Sequence, residues 1–221
     1  MDFELTRPAV SLTDYALAIE CAVFTLLLAR LPASDGVLRK WFVVFFASIA
    51  AASLLGGTMH GFFEYSTSPV RTVLWTATLL SILVTSFATW TIAAILQLQP
   101  QASRWVQRFA LAQVLVLSLV ILFVSQLFLV AIVAYLPATV FLLVSFWMAY
   151  RRRPSAALGW GLVGLVLTFL GAAVQQLKLA AHPVYFDHNA LYHLIQFVAL
   201  WMIYRAGRWM STAKPIVRRT S

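Results

Sequence analysis

The chain has 221 residues, 62% hydrophobic and 10% charged, with mean hydropathy +0.87. A soluble domain carries about a quarter charged residues, so a soluble globular fold is excluded. The net charge of +9 comes from basic residues in the gaps between apolar runs, a membrane topology signal that excludes nucleic acid as partner, and Cys21 is the only cysteine, which excludes an internal disulfide and thiolate metal clusters.

A membrane-crossing helix needs about 20 mostly apolar residues. Runs over 12–31, 41–63 and 73–98 each meet that length. The next block, 109–150, is about twice one span and divides at Ser125-Gln126, its most polar dipeptide, into 109–124 and 127–150. Runs over 156–179 and 189–204 follow. The expectation is an all-α, polytopic membrane protein: one domain over 1–221, a bundle of seven transmembrane helices. Pro137 inside the fifth run predicts a kink. Gly159, Gly161, Gly164 and Gly171 in the sixth predict close helix approach. The N-terminus, with Asp2 and Glu4, lacks the basic start of a signal peptide, so the first run is expected to be retained.

Charge fixes the expected orientation. Arg30, Arg39 and Lys40 follow the first run, Arg104 and Arg108 the third, and Arg151, Arg152 and Arg153 the fifth. Arg205, Arg208, Lys214, Arg218 and Arg219 follow the seventh. The alternate gaps hold little beyond Arg7, Arg71 and Lys178. The positive-inside rule then puts the N-terminus outside and the C-terminus in the cytoplasm. A six-helix count would split the basic clusters between the two sides. Acids follow the opposite bias: Asp2, Glu4, Asp14, Glu64 and Asp187 fall outward, and Asp35 inward. Trp41, Trp105, Trp147 and Trp209 fall near the inner ends, as an aromatic belt would. The expected location is multi-pass in a plasma membrane or bacterial inner membrane.

Polar side chains within such runs are costly and mark candidate sites. The stretch Asp187-His188-Asn189-Ala190-Leu191-Tyr192-His193-Leu194-Ile195-Gln196 opens the seventh run. Gly56-Gly57-Thr58-Met59-His60-Gly61-Phe62-Phe63-Glu64 closes the second. His60 and His193 each fall about one turn from the outer surface, so they share a layer. Glu64 is four residues after His60, on the same helix face. Asn189, His193 and Gln196 lie on one stripe. His188 falls off that stripe and would reach inward from the entry turn.

Two imidazoles completed by a carboxylate or water suit zinc. An open fourth position would make a nucleophile of bound water. His60, His188 and His193 are the candidate ligands, with Glu64 or Asp187 as candidate base. The plainer expectation is a hydrogen-bonded pair fixing one helix against another. Glu20, about two turns inside the first helix, is protonated or meets a polar partner. Gln175, Gln176 and Lys178 are candidates for that partner. Glu20, Gln175, Gln176, Asn189 and Gln196 form the expected polar network. The hydroxyls of the third run, from Thr76 to Thr91, are expected to bond back to their own helix.

Seven helices, a histidine near the outer end of the second and a histidine-bearing opening of the seventh resemble the CREST superfamily. That group joins alkaline ceramidases, progestin and adiponectin receptors and Per1-like proteins. The resemblance implies a zinc hydrolase with one ligand on helix 2 and two on helix 7. His60 matches the first position. Asn189-Ala190-Leu191-Tyr192-His193 matches the helix 7 motif, with Asn189 in place of its first histidine. The family serine falls at Gly56, and the expected aspartate after helix 2 is absent. The implied function is hydrolysis of a lipid amide or ester. The alternative is a receptor-like protein that binds a lipid or small molecule without chemistry. A proton-coupled transporter and a haem protein ligated by His60 and His193 complete the field.

Overall fold

The computed structural model describes residues 5–32, 36–182 and 185–212. Of the residues read for charge, Asp2, Glu4, Asp35, Lys214, Arg218 and Arg219 lie outside that range. Among the described residues there are seven α-helices: α1 Pro8–Ala29, α2 Gly36–Thr58, α3 Pro69–Gln97, α4 Pro100–Phe123, α5 Phe128–Arg152, α6 Ala156–Gln176 and α7 His188–Thr212. A π-helical turn, Met59–Phe63, extends α2. The break at Ser125-Gln126 separates α4 from α5, as the sequence predicts. Pro137 lies within a continuous α5.

Six of these helices, α1 to α6, are long and apolar enough to cross a membrane, so the chain is a multi-pass membrane protein. α7 is as long as α5, at 25 residues, but interrupts its apolar surface with His193, Gln196, Arg205 and Arg208.

The helix starts have local causes. Proline occupies the first turn of α1, α3 and α4, where its missing N–H is no loss. Ser68 and Ser155 accept from the backbone N–H groups of Val70 and Leu158 at 3.3 and 3.2 Å. Asp187 Oδ1 accepts from Asn189 N and Ala190 N at 2.9 and 3.0 Å, capping α7. Such caps satisfy N–H groups that a helix start leaves open.

Contacts run α1–α2–α3–α5–α6–α7 and back to α1, closing a ring. α4 lies outside it, against α3 and α5, and only 11% of its apolar stretch is buried. Its outward side chains, including Leu111, Leu115, Val116 and Leu119, are exposed, as lipid-facing residues would be.

Helix association in lipid rests on close packing and interhelical hydrogen bonds rather than on the hydrophobic effect. α6 and α7 show the first. A Cβ at Gly164 would fall 2.6 Å from the Ala199 carbonyl oxygen, and one at Gly161 2.5 Å from Ala206 Cβ. α3 shows the second at Ser86, whose hydroxyl donates to the Ala134 carbonyl of α5 at 2.8 Å. Thr78, Ser81, Thr85, Thr89 and Thr91 bond back to α3, as expected.

One end of the ring is filled with aromatic rings: Phe24, Phe42, Phe45, Phe46, Phe146 and Tyr204 belong to one buried cluster. Arginines sit over tryptophans around it: Arg108 over Trp105, Arg151 over Trp147, Arg153 over Trp209 and Arg205 over Trp201, at 4.9–5.9 Å from the ring centres. The opposite end carries the polar side chains.

Candidate functional site: a cavity at the polar end of the bundle

The polar end is built on the approach of α1 to α2. A Cβ at Gly57 would lie 2.8 Å from Asp14 Cβ and 3.3 Å from the Ser11 carbonyl oxygen. Ser11 Oγ donates to the Gly57 carbonyl at 2.9 Å, and Thr6 N to the Gly61 carbonyl at 2.9 Å. Only glycine permits that approach, and it carries Asp14 into the bundle. The π turn begins two residues later, with His60 as its second residue. π turns inside helices occur often at functional sites.

Between the helices lies a cavity of about 460 Å³. Asp14, His60, Asn189, Tyr192, His193 and Gln196 line its polar part. Trp75, Phe128, Ile132, Tyr135 and Leu136 line much of the rest. Leu136 of α5, one of the lining residues, is 46% exposed. The cavity thus brings together His60 and His193 and the stripe Asn189, His193 and Gln196, all legible in the sequence. Gln175 and Gln176 also line it, and Gln175 Nε2 donates to Asn189 Oδ1 at 3.2 Å. Gln196 is tied to α6, where Thr168 Oγ1 donates to its Oε1 and its Nε2 donates to the Thr168 carbonyl, both at 3.3 Å.

Other expected members fall elsewhere. His188 is half-buried at the start of α7 and contributes nothing to the cavity wall. Glu20 is also outside the wall and does not reach Gln175, Gln176 or Lys178; it is 9% exposed, and its Oε2 is buried without a hydrogen-bond partner among the described residues.

Glu64 and Asp187, the candidate bases, meet at Arg7. Arg7 donates to Glu64 Oε1 at 3.4 Å and, through a short contact, to Asp187 Oδ2. Glu64 Oε2 is also 2.6 Å from His60 Nδ1. The His60 bond, with Arg7 nearby, outweighs partial burial and holds the Glu64 carboxyl below the usual carboxylate range. Partial burial pushes the Asp187 carboxyl up, but the Ala190 N–H, Arg7 and the Asn189 N–H outweigh it and leave it lowered. Burial works against the Arg7 charge, and the two carboxylates overcome it, raising its pKa. The result is an ion-paired clasp joining the entry to α1, the end of the π turn and the start of α7.

His193 has different partners. Thr13 Oγ1 is 3.1 Å from His193 Nδ1, and has the Ala9 and Val10 carbonyls at 2.8 and 3.0 Å to donate to. The hydroxyl can accept from Nδ1–H or donate to Nδ1, according to the tautomer of the ring. The other ring nitrogen, Nε2, faces Asp14 Oδ1 at 3.4 Å. Asp14 is 5% exposed and lines the cavity.

Residues 9–212 match a family of unknown function, DUF6962. The chain belongs to that family. No curated protein and no solved structure matches it. The matched range of this DUF6962 protein takes in the helices that line the cavity, α1 to α3 and α5 to α7, and stops at the last residue of α7.

Sequence reasoning passed over three contributors to the DUF6962 site: Arg7, Thr13 and Asp14. Arg7 was counted only as a topology charge, and Asp14 only as an outward acid. The signal for Asp14 was the spacing of Gly57 and Gly61, a small-residue stripe that demands a close neighbour. Zinc takes the donor types found in His60, His193 and Asp14. In the arrangement described, no three His, Cys, Asp or Glu among the described residues converge on one point, and each imidazole already faces an acid.

Proposed function

We propose that this DUF6962 protein holds a small amphipathic molecule, drawn from the membrane, in the cavity between its helices. The observation that carries the proposal is the cavity itself: largely apolar walls with polar side chains gathered at one end. Its volume of about 460 Å³ falls within the usual range for ligand pockets, roughly 300–1,000 Å³. Leu136 of α5, which lines the cavity and is also exposed, supports entry from the lipid side. In this reading α7 is a seventh span, and the arginine-bearing aromatic end faces the cytoplasm, by the positive-inside rule. The N-terminus and the polar end then face outward.

The test is thermal unfolding of the protein in nanodiscs with added decanol. Stabilisation of the parent protein that disappears in Ala172→Trp, which fills the cavity wall, is the expected result. An equal shift in both proteins, or none in either, overturns the proposal.

A second reading has its own support. His60, Asp14 and His193 line one cavity, in a chain that resembles zinc-dependent lipid amidases and esterases. An acid paired with an imidazole is the usual form of a general base. Metal analysis of purified protein separates the two readings. Stoichiometric zinc, lost in both His60→Ala and His193→Ala, together with hydrolysis of a lipid amide or ester, supports the hydrolase. Chelator-insensitive ligand binding in zinc-free protein supports the binding protein.

A further inference from the structure

One carboxyl group and two imidazoles, those of His60 and His193, line the cavity. Asp14 lines it, and no lysine or arginine does so among the described residues. Arg7 is occupied by Glu64 and Asp187 outside the wall. A buried carboxylate is stable only when paired or hydrogen-bonded, and the Asp14 carboxylate faces His193 Nε2 at 3.4 Å. In the tautomer with Nδ1–H directed to Thr13, Nε2 of the neutral ring is itself an acceptor. Asp14 Oδ1 and His193 Nε2 thus face each other across 3.4 Å in a buried space, with one proton to share, and a cationic donor entering the cavity can bond to the carboxylate.

Aromatic faces complete the setting. Trp75, Tyr135 and Tyr192 line the same cavity. The Trp75 indole N–H donates to the Gln126 carbonyl at 2.8 Å, which fixes its ring in place. Aromatic faces attract ammonium groups, more strongly where water is excluded. Fatty acids and phosphate-bearing headgroups would meet Asp14 with like charge and find no fixed cation in the wall.

We propose that the cavity selects a lipophilic amine, with its ammonium group at Asp14 and its hydrocarbon tail along the apolar wall towards α5. The proposal rests on the amphipathic-ligand reading and gives it a headgroup.

The experiment compares decylamine, decanol and decanoate by thermal unfolding in phosphatidylcholine nanodiscs. Decylamine is expected to stabilise the protein at about tenfold lower concentration than decanol, the ratio a single favourable charge contact supplies. Decanoate should give no shift. Asp14→Asn should erase the advantage of the amine while leaving the decanol shift in place. Tyr135→Leu, which keeps the carboxylate and removes one ring face, should reduce the advantage in part, and it serves as the test if Asp14→Asn does not fold. Equal potency of decylamine and decanol, or an amine advantage that persists in Asp14→Asn, overturns the amine assignment and leaves the cavity reading standing. Absence of a shift with all three compounds overturns both.

Discussion

The two ends of the bundle hold together by different means. At the aromatic end Phe24 stacks on Tyr204 with ring centres 4.2 Å apart, and Phe45 and Phe46 meet edge to face at 5.0 Å. Phe42, Phe45, Phe46 and Phe146 there are at most 1% exposed. At the polar end the helices meet through glycine contacts, the clasp at Arg7 and hydrogen bonds, and they enclose a cavity. Aromatic packing is strong and tolerates little; polar joints are each weaker but can surround a void. The aromatic end acts as a foundation, and the polar end is left free to bind.

Four substitutions sharpen this division. The largest effect is expected from Phe46→Ala, which empties a fully buried site touching Phe24, Phe45 and Tyr204. A loss of about 3–5 kcal/mol is usual for such a truncation. Denaturant titration in micelles would measure it, and the ranking of the three decyl compounds should not change. A changed ranking would mean that the ends are not separate.

Gly57→Ala comes next. The added methyl must push Asp14 or the α1 backbone away, at a cost of about 1–3 kcal/mol for an overpacked contact. Unlike Phe46→Ala, it should also weaken binding, because Asp14 moves. Unchanged affinity would separate Asp14 from the site.

Arg7→Ala removes the cation shared by Glu64 and Asp187. About 1–2 kcal/mol is expected for lost charge-assisted bonds at a partly buried site. Both carboxyls are held below their ordinary range in the folded protein. Their stabilising contribution is therefore complete above the ordinary carboxylate range and disappears as pH falls through the lowered folded values. The parent protein should lose stability on acidification in that window, and Arg7→Ala should flatten the dependence. Parallel curves for the two proteins would remove the clasp from the stability of this end. The smallest change, Gln196→Leu, breaks the α6–α7 hydrogen bonds at a cost of about 0.6 kcal/mol, typical of a polar contact between membrane helices; the midpoint of the same titration would report it.

The aromatic end was largely legible in the sequence, because apolar length, interfacial tryptophans and arginine-rich gaps are one-dimensional signals. Even the split at Ser125-Gln126 followed from them. The exceptions were helix ends masked by charge. α4 begins at Pro100 rather than at 109, since Arg104 and Arg108 made its first turns look like a gap. α7 continues to Thr212 past Arg205 and Arg208. The polar end was half legible. Helical spacing brought out His60 with Glu64, and Asn189 with His193 and Gln196, because those relations lie within one helix. The pairing of His193 with Asp14 joins α7 to α1 across 179 positions and depends on how deeply Gly57 lets α1 settle. No periodicity within one segment encodes that. His188, read as reaching inward from the entry turn, is instead the first residue of α7 and does not line the cavity.

The widened turn at Met59–Phe63 carries a consequence for this geometry. Relative to a plain α-helix, a π turn behaves as if one residue had been slipped into the coil, and one residue corresponds to a rotation of about 100°. The wider turn takes up that residue locally, so excising a single position from it would restore the regular winding and leave Glu64 on its bearing toward Arg7, whereas a residue added or removed earlier in α2 would swing it away. The clasp is thus held by an azimuth, and deletions within these five positions, set against deletions earlier in α2, can read the angle.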